Sequence, residues 1–471
     1  MSYKHHTAGY QLGERELKPE ERVVVGTRIG PKEPRRIAKH LGLSELQPHL
    51  LIDHKIWSDE EYLPTFVTKN CLLRDDFFRY KENYKNADGS IKWGEGLKGK
   101  TVYIVHTFSE NFTPQDLDKR IEFIAHTAKY NGAENVVLVA YTLDHSAQER
   151  GVHDIEHPRM QDEEALKKFD GQAPISRLQL QQYMTSGVDT IITPHNHCPE
   201  DTQSLCDDVN QEFEIMYKRS LDLNSTLRYH LKFVNVDLAP MVGMFISDYG
   251  ESNLNFDLSD SGRNVLFLGP DVGITTFITN TRRHSGLRNS ALAIMEKKRA
   301  EDGVGITYLQ LNHSEGLTLE RGIEGMDIIV ADDAIRTGST VQRNIRVLRG
   351  GTIEDLVLDP KIKGKPRKVA VYSTRTNFAG NSVKILASPA IDDVIITNAD
   401  PRGIKNVGEL DVKTQMIWIN FMMAEASKAI ERGEDPNKIL TPEYIRRRKL
   451  LKVNVPHGHK SLADLEGSGI I

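Results

Sequence analysis

The segment 326–340 constrains this chain more than any other. Ile328-Ile329-Val330-Ala331 is an apolar run of strand length without the alternation of a half-exposed strand, so it predicts a strand buried on both faces, as in a parallel sheet covered by helices. Two carboxylates, Asp332 and Asp333, stand at its C-terminal end, and Arg336-Thr337-Gly338-Ser339-Thr340 then turns into the helix-like stretch 341–348. Ligands gather at that end of the strands in open α/β sheets. The turn offers backbone N–H groups and three hydroxyls at a helix N-terminus, which suits a phosphate, while the two acids can accept hydrogen bonds from vicinal sugar hydroxyls. Together they read as a phosphosugar site. An ordinary strand, turn and helix with a capping threonine and two solvated acids would look alike over so short a stretch, so the rest of the chain decides.

At 471 residues the chain exceeds what one hydrophobic core usually serves, and two domains are the natural expectation. Its 61 basic and 66 acidic residues are interspersed and leave a net charge of -5, so there is no broad basic field and no nucleic-acid partner is expected, although a local anion site is compatible with it. Cys71, Cys198 and Cys206 show no paired spacing, which predicts no disulfide framework and favours a reducing compartment, the cytoplasm. Residues 1–20 are polar, and no stretch reaches the roughly eighteen apolar residues that span a bilayer, so neither an export signal nor a membrane anchor is expected.

Strand-like and helix-like stretches alternate in two blocks. In the first, residues 101–105 and 135–141 flank the helix-like Pro114–Tyr130, and residues 190–193 follow the helix-like Ile175–Ser186. In the second, residues 264–268, 291–295, 327–330, 369–372 and Asp393–Thr397 are strand candidates with helical stretches between several of them. This predicts an α/β protein of two doubly wound lobes with mostly parallel sheets. The expected organisation is an extension at 1–20, a lobe with insertions at 21–250, a lobe carrying the phosphate loop at 251–434, and an extension at 435–471. Residues 199–229 are charged and weakly periodic, and read as a partly helical insertion outside the core. Residues 153–172 and 359–368 read as exposed loops and 457–471 as a tail.

Other motifs carry chemistry. The strand-like Val265-Leu266-Phe267-Leu268 ends in Gly269-Pro270-Asp271-Val272-Gly273, where Asp271 can hold Mg²⁺ directly or through water, because magnesium takes one or two carboxylates beside substrate phosphates. A plain Pro-Asp turn is the alternative. Glu296-Lys297-Lys298-Arg299 follows the strand 291–295 and reads as a mobile loop bringing a movable point charge and a planar fork to a negatively charged reaction centre, or as a solvated basic run. Thr193-Pro194-His195-Asn196-His197 closes another strand. Alternate histidines on an extended segment point the same way and permit a metal, but no further ligand stands at zinc spacing. Asp144-His145-Ser146-Ala147-Gln148-Glu149-Arg150 leads from a strand into a polar loop of a length to fold over a nucleotide, or an ordinary connection.

Taken in order, these pieces resemble the ribose-phosphate diphosphokinases, or phosphoribosyl diphosphate (PRPP) synthetases. The family's Ser-Pro-Asp-x-Gly-Gly is similar to Gly269-Pro270-Asp271-Val272-Gly273-Ile274, its Asp-Lys-Arg-Arg to Glu296-Lys297-Lys298-Arg299, and its Asp-Asp-x-x-Asp-Thr-Gly-Gly-Thr to the run from Asp332 to Thr340. Its Asp-Leu-His resembles His195-Asn196-His197, its Arg-Gln-Asp-Arg resembles Ala147-Gln148-Glu149-Arg150, and its Pro-Ile-Ser resembles Pro174-Ile175-Ser176. The similarity continues through Tyr372-Ser373-Thr374-Arg375-Thr376-Asn377-Phe378-Ala379-Gly380 and Met422-Met423-Ala424-Glu425-Ala426, and Asp88-Gly89 matches an adenine-site Asp-Gly with Ser90 in place of Glu.

The resemblance implies two phosphoribosyltransferase-like lobes and a homo-oligomer, dimer or hexamer. It implies transfer of the β,γ-diphosphate of ATP to ribose 5-phosphate with Mg²⁺, giving PRPP and AMP. Asp332 and Asp333 would then grip ribose hydroxyls, and Arg336, Thr337, Gly338, Ser339 and Thr340 the 5-phosphate. His197 and Asp271 would engage Mg²⁺ and ATP, Gln148, Glu149 and Arg150 the nucleotide, and Lys297 and Arg299 the transferring diphosphate as the catalytic pair. The departures cluster at the ligands. Arg336 reverses the charge of the family's phosphate-loop Asp, and Ala147, Ile274 and His195 replace an Arg, a Gly and an Asp on the ATP side. They motivate two alternatives: a more anionic acceptor such as ADP-ribose, and a catalytically silent, PRPP-synthetase-like regulatory subunit. A phosphoribosyltransferase shares the Asp-Asp loop, but two lobes and the Lys-x-Arg pair argue against it.

Overall fold

A computed structural model describes residues 12–28, 32–45, 51–56, 58, 61–67, 96–108, 111–143, 145, 174–220, 230–299, 306–351, 357–377, 379–400, 410 and 414–454. The chain divides into two units, Met1–Val236 with Asn420–Ile439, and Asp237–Ile419 with Leu440–Ile471. Both follow the α/β pattern. Gln148, Glu149, Arg150 and Ala147, the Asp88-Gly89-Ser90 stretch, Cys71, the 153–172 loop and the 457–471 tail lie outside the described residues.

The first unit is built on five parallel strands in consecutive spatial order: β1 (Arg22–Gly26), β4 (Thr101–His106), β5 (Asn135–Ala140), β6 (Thr190–Pro194) and β7 (Lys232–Val236). A two-stranded antiparallel ribbon, β2 (Ile52–Ile56) and β3 (Tyr62–Phe66), is separate from that sheet. Helix α1 (Lys32–His40) follows β1. Helix α2 (Pro114–Tyr130) begins where Thr113 caps it: the Asp116 N–H donates to Thr113 Oγ1 and the Thr113 N–H to the Asp116 carboxylate, with Pro114 at the first helical position. Its Leu117, Ile121, Ile124, Ala125 and Ala128 recur at helical spacing and are fully buried. Burying such an aliphatic side chain contributes about 1.5–3 kcal/mol. Helix α3 (Ile175–Ser186) stops at Gly187, whose φ of 101° only glycine adopts freely and where a Cβ would lie 2.6 Å from Lys129 Cγ.

Helix α4 (Pro199–Ser220) corrects an expectation. Of the segment 199–229 read as a partly helical insertion outside the core, Pro199–Ser220 is a 22-residue helix whose Leu205, Cys206 and Val209 join the hydrophobic core of this unit, and residues 221–229 lie outside the described residues. Its apolar stripe is narrow and partly made by a cysteine, so charge dominates the sequence signal. Asn210 pins it to the start of β7, donating from Nδ2 to the Leu231 carbonyl at 2.9 Å and accepting from the Leu231 N–H at 2.8 Å.

The second unit opens with α5 (Ala239–Leu254) and holds a nine-stranded sheet. Its parallel centre runs in the order β9 (Ala291–Arg299), β8 (Val265–Gly269), β11 (Asp327–Ile335), β13 (Lys368–Thr376), β14 (Asp393–Thr397) and β15 (Thr414–Trp418). Antiparallel β10 (Ile306–Glu315) and short β12 (Val357–Leu358) extend it beyond β9, and β16 (Lys452–Asn454) closes the other edge. Helices α6 (Thr275–Ser285) and α7 (Ser339–Leu348) follow β8 and β11. Ile328, Ile329, Val330 and Ala331 are fully buried, which is why that run shows no alternation. Within the 359–368 stretch read as an exposed loop, a short 3₁₀ turn at Pro360–Ile362 buries Ile362 in the core.

Helix α8 (Asn420–Glu431) comes late in the chain but belongs to the first unit. Its last residue, Glu431, is fully buried. Arg22 donates to it from Nε at 2.8 Å and Nη2 at 2.5 Å, Tyr103 from its hydroxyl at 2.5 Å, and Leu17 from its backbone N–H at 2.9 Å. Burial is the largest single influence on Arg22 and would lower its pKa, but the hydrogen bond to Glu431 and the charges of Glu431, Tyr103 and Glu16 together outweigh it and raise the value. Among the described residues no helix is long and apolar enough to cross a membrane.

Candidate functional site

In the second unit β8 lies between β9 and β11, so the chain leaves β8 in one direction for β9 and later returns on its other side as β11. That reversal is a topological switch point, where the loops after two neighbouring strands diverge and leave a crevice. The first unit, with consecutive strand order, has none in its sheet. The loops at the switch point are the Asp271 turn and the Asp332–Thr340 run.

Strand β11 outruns one neighbour. It pairs with β8 only as far as Val330 opposite Leu268, but with β13 up to Ile335 opposite Thr376. The two acids therefore lie on a strand bordered on one side alone. Burial, then the charges of Asp333 and Asp271, hold the Asp332 carboxyl well above the usual carboxylate range. The Asp333 carboxylate is paired with Arg375, whose Nη2 donates to Oδ2 at 2.6 Å. The backbone N–H of Asp333 donates to Asp332 Oδ1 at 2.9 Å. Asp271 is exposed and accepts the Gly273 N–H at 2.9 Å through Oδ1, which fixes the carboxylate at the mouth of its turn.

The candidate phosphate loop has the backbone the sequence predicts. Gly338, with φ 76°, precedes α7, and a Cβ there would approach Ile385 Cδ1 to 3.2 Å and the Ser382 Cα to 3.3 Å. No side chain caps the helix, which leaves its first N–H groups available to an anion. Arg336, Thr337 and Ser339 are exposed and Thr340 half-buried. Arg336 makes no ion pair among the described residues.

Ile274 is buried rather than turned towards a ligand. A Cβ on Gly269 would lie 2.7 Å from Ile274 Cγ2 and 2.8 Å from Ile294 Cδ1, so Ile274 occupies the space that a serine at 269 would need. Two departures from the family pattern are thus one exchange of volume. Asn344 on α7, fully buried, donates from Nδ2 to the Pro270 carbonyl at 3.3 Å and ties the phosphate-loop helix to the Asp271 turn.

Two expected geometries differ. Lys297 and Arg299 do not stand on a loop: their backbone continues β9, with Lys297 opposite Leu309 and Arg299 opposite Ile306. Hydrogen bonding to β10 extends a strand whose side chains give no apolar signal. His195 and His197 do not point the same way from an extended segment. His195 has φ 41° and is buried, whereas His197 is exposed. Asn196, between them, locks the turn by donating its N–H to Asn235 Oδ1 at 2.7 Å and its Nδ2 to Thr202 Oγ1 at 2.6 Å.

Sequence reasoning assigned no role to Arg375, Asn344 or Asn196. An asparagine inside a helical stretch, where it is a poor helix former, was the available signal for Asn344. Among the described residues no group of three or more His, Cys, Asp or Glu side chains could hold a metal unaided. The exposed Asp271 carboxylate, whose charge is felt by Asp332, nevertheless fits magnesium, an oxygen-seeking ion that completes its shell with water and substrate phosphate.

The chain is similar to enzymes named ribose-phosphate pyrophosphokinase. It is 28% identical to that of Haemophilus ducreyi over 172 residues, 36% of this chain and 46% of the relative. It is 29% identical to that of Pasteurella multocida over 180 residues, covering 38% and 49%, and 30% identical to that of Haemophilus influenzae over 175 residues, covering 36% and 46%. The matches span about half the length of these relatives. The fold is similar to the crystal structure of phosphoribosylpyrophosphate synthetase from Mycobacterium smegmatis, with TM-score 0.55, 13% identity, and coverage of 87% of this chain and 98% of that one. No family model matches the chain.

Proposed function

As a divergent relative of the ribose-phosphate pyrophosphokinases, this chain is, we propose, a Mg²⁺-dependent ribose-phosphate diphosphokinase that converts ATP and ribose 5-phosphate to PRPP and AMP. The observation that carries the reading is the meeting, at one switch point, of two adjacent acids, an uncapped glycine-led helix N-terminus and an exposed Asp271.

In this reading the α7 N-terminus with Thr337, Ser339 and Thr340 holds the 5-phosphate, and Asp332 and Asp333 accept the sugar hydroxyls. The anomeric oxygen forms a bond to the β-phosphorus of ATP while the bond to the α,β-bridging oxygen breaks, with AMP as leaving group and loss of the hydroxyl proton. Lys297 and Arg299 offset charge on the transferring diphosphate, and His197, Gln148, Glu149 and Arg150 bind the nucleotide. Asp271 would hold Mg²⁺, which when bound supplies charge neutralisation for the phosphates. No covalent enzyme intermediate is required.

A second reading keeps the chemistry and changes the acceptor. Arg336, exposed and without an ion pair among the described residues, favours a more anionic sugar phosphate such as ADP-ribose. The deciding experiment is a Mg²⁺-ATP assay resolving AMP from ADP with ribose 5-phosphate, ADP-ribose or no acceptor. AMP with ribose 5-phosphate, abolished in Lys297→Ala, is expected. AMP with ADP-ribose alone moves the function to that acceptor, and AMP with neither leaves the silent subunit.

A further inference from the structure

The two adjacent acids of the site are not equivalent. Asp333 is paired with Arg375, and each side chain of the pair keeps only 11% of its exposure. Asp332 has no cation bonded to it among the described residues. Arg375 stands on β13, one position beyond the level of Asp333, since it lies opposite Ala334. Its backbone is held from both sides: the Arg375 carbonyl accepts from Ser373 Oγ at 2.9 Å, that same oxygen accepts the Ile335 N–H at 3.1 Å, and the neighbouring Thr374 carbonyl accepts from Thr397 Oγ1 at 2.7 Å. The guanidinium therefore projects from a strand end held by three side-chain hydrogen bonds.

Buried ion pairs give back little net stability, because desolvation cancels most of the attraction, and their attested use is to fix geometry. A charge-assisted hydrogen bond from the guanidinium to one carboxylate oxygen is suited to that, since it fixes the direction of the acid as well as offsetting its charge. Resting on the phosphosugar reading above, we propose that Arg375 is a positioning residue that locks the Asp333 carboxylate as a rigid, ionised acceptor for one sugar hydroxyl, while Asp332 is left to meet the second hydroxyl or a cation. Specificity for a vicinal diol then resides in the pair Asp333 and Arg375. A locked acceptor rejects a sugar lacking its hydroxyl because the buried charge is left without the bond it was oriented to receive.

The experiment measures ribose 5-phosphate and 2-deoxyribose 5-phosphate binding by calorimetry, alongside KM and kcat, for the full chain and for Arg375→Lys, Arg375→Met and the charge-neutral double variant Asp333→Asn/Arg375→Met. Arg375→Met should weaken ribose 5-phosphate about tenfold to a hundredfold, as expected for a charge-assisted hydrogen bond, with kcat little changed. Arg375→Lys should recover part of the loss. The double variant should regain folding stability without regaining affinity, and its preference for ribose over 2-deoxyribose should collapse. Unchanged affinity in Arg375→Met, or wild-type affinity in the double variant, would overturn the proposal and make the pair a balance of charge alone. Binding without AMP formation in the wild type would remove the diphosphokinase reading and leave Arg375 tested by calorimetry, whereas absence of binding would remove both.

Discussion

The exchange of volume between Gly269 and Ile274 can be reversed in the laboratory. Gly269→Ser places a Cβ 2.7 Å from Ile274 Cγ2 and 2.8 Å from Ile294 Cδ1, well inside contact distance, and overpacking of this kind costs about 1–3 kcal/mol. Ile274→Gly removes a side chain that is 4% exposed, at about 2–5 kcal/mol by analogy with isoleucine-to-alanine changes, plus about 1 kcal/mol for the freedom glycine adds to the unfolded chain. In the double variant the serine enters space the isoleucine has left. Most of the clash disappears, though Ile294 keeps a share, so the combined loss should fall short of the sum by about 1–2 kcal/mol. The chain has three tryptophans, Trp57, Trp93 and Trp418, and only Trp418 belongs to the second unit. Urea titrations followed by Trp418 fluorescence in a Trp57→Phe/Trp93→Phe background therefore read the unit in question. Losses that add to within about 0.5 kcal/mol would refute the steric argument.

Two further outcomes follow from groups already placed. The Asp332 carboxyl titrates higher in the folded protein than in the unfolded chain, so its contribution to stability is complete below the unfolded value, near 4, and is lost as pH rises through the folded one. Asp332→Asn should accordingly raise the melting temperature at neutral pH by an amount that shrinks towards zero near pH 4, and a difference independent of pH would refute it. Glu431→Ala leaves Arg22, only 3% exposed, without its buried partner and with only the longer contact to half-exposed Glu16 at 3.6 Å, and should cost about 3–5 kcal/mol, measured by denaturant midpoint; a midpoint shift below about 1 kcal/mol would show the pair to be dispensable.

The fold and the strand–turn–helix of residues 326–348 were legible for the same reason. Buried parallel strands write unbroken apolar runs, and the glycine before α7 sits where the chain must enter the left-handed region. Pro114–Tyr130 was readable to the residue because Thr113, Pro114 and Asp116 form a capping signal. The rest failed where long-range partners decide. β9 continues through Lys297 and Arg299 because β10 supplies hydrogen bonds, and α4 is held by Leu205, Cys206 and Val209 although most of its surface is charged. His195 takes a conformation that no alternation rule anticipates, and Arg375 acquires a role only when β13 is laid beside β11.

Helix α8 gives the first unit a peculiar schedule of manufacture. Glu431, which satisfies Arg22, Tyr103 and the Leu17 N–H, is translated only after eight of the nine strands of the following sheet, β8 to β15, have been made. Translation proceeds at about 5–20 residues per second, and early domains usually fold as they emerge. Here the first sheet must wait with Arg22 lacking its buried carboxylate and an apolar face uncovered. During that interval the nascent chain offers a surface for chaperone capture, and a truncation ending before residue 420 should accumulate as a captured or degraded product.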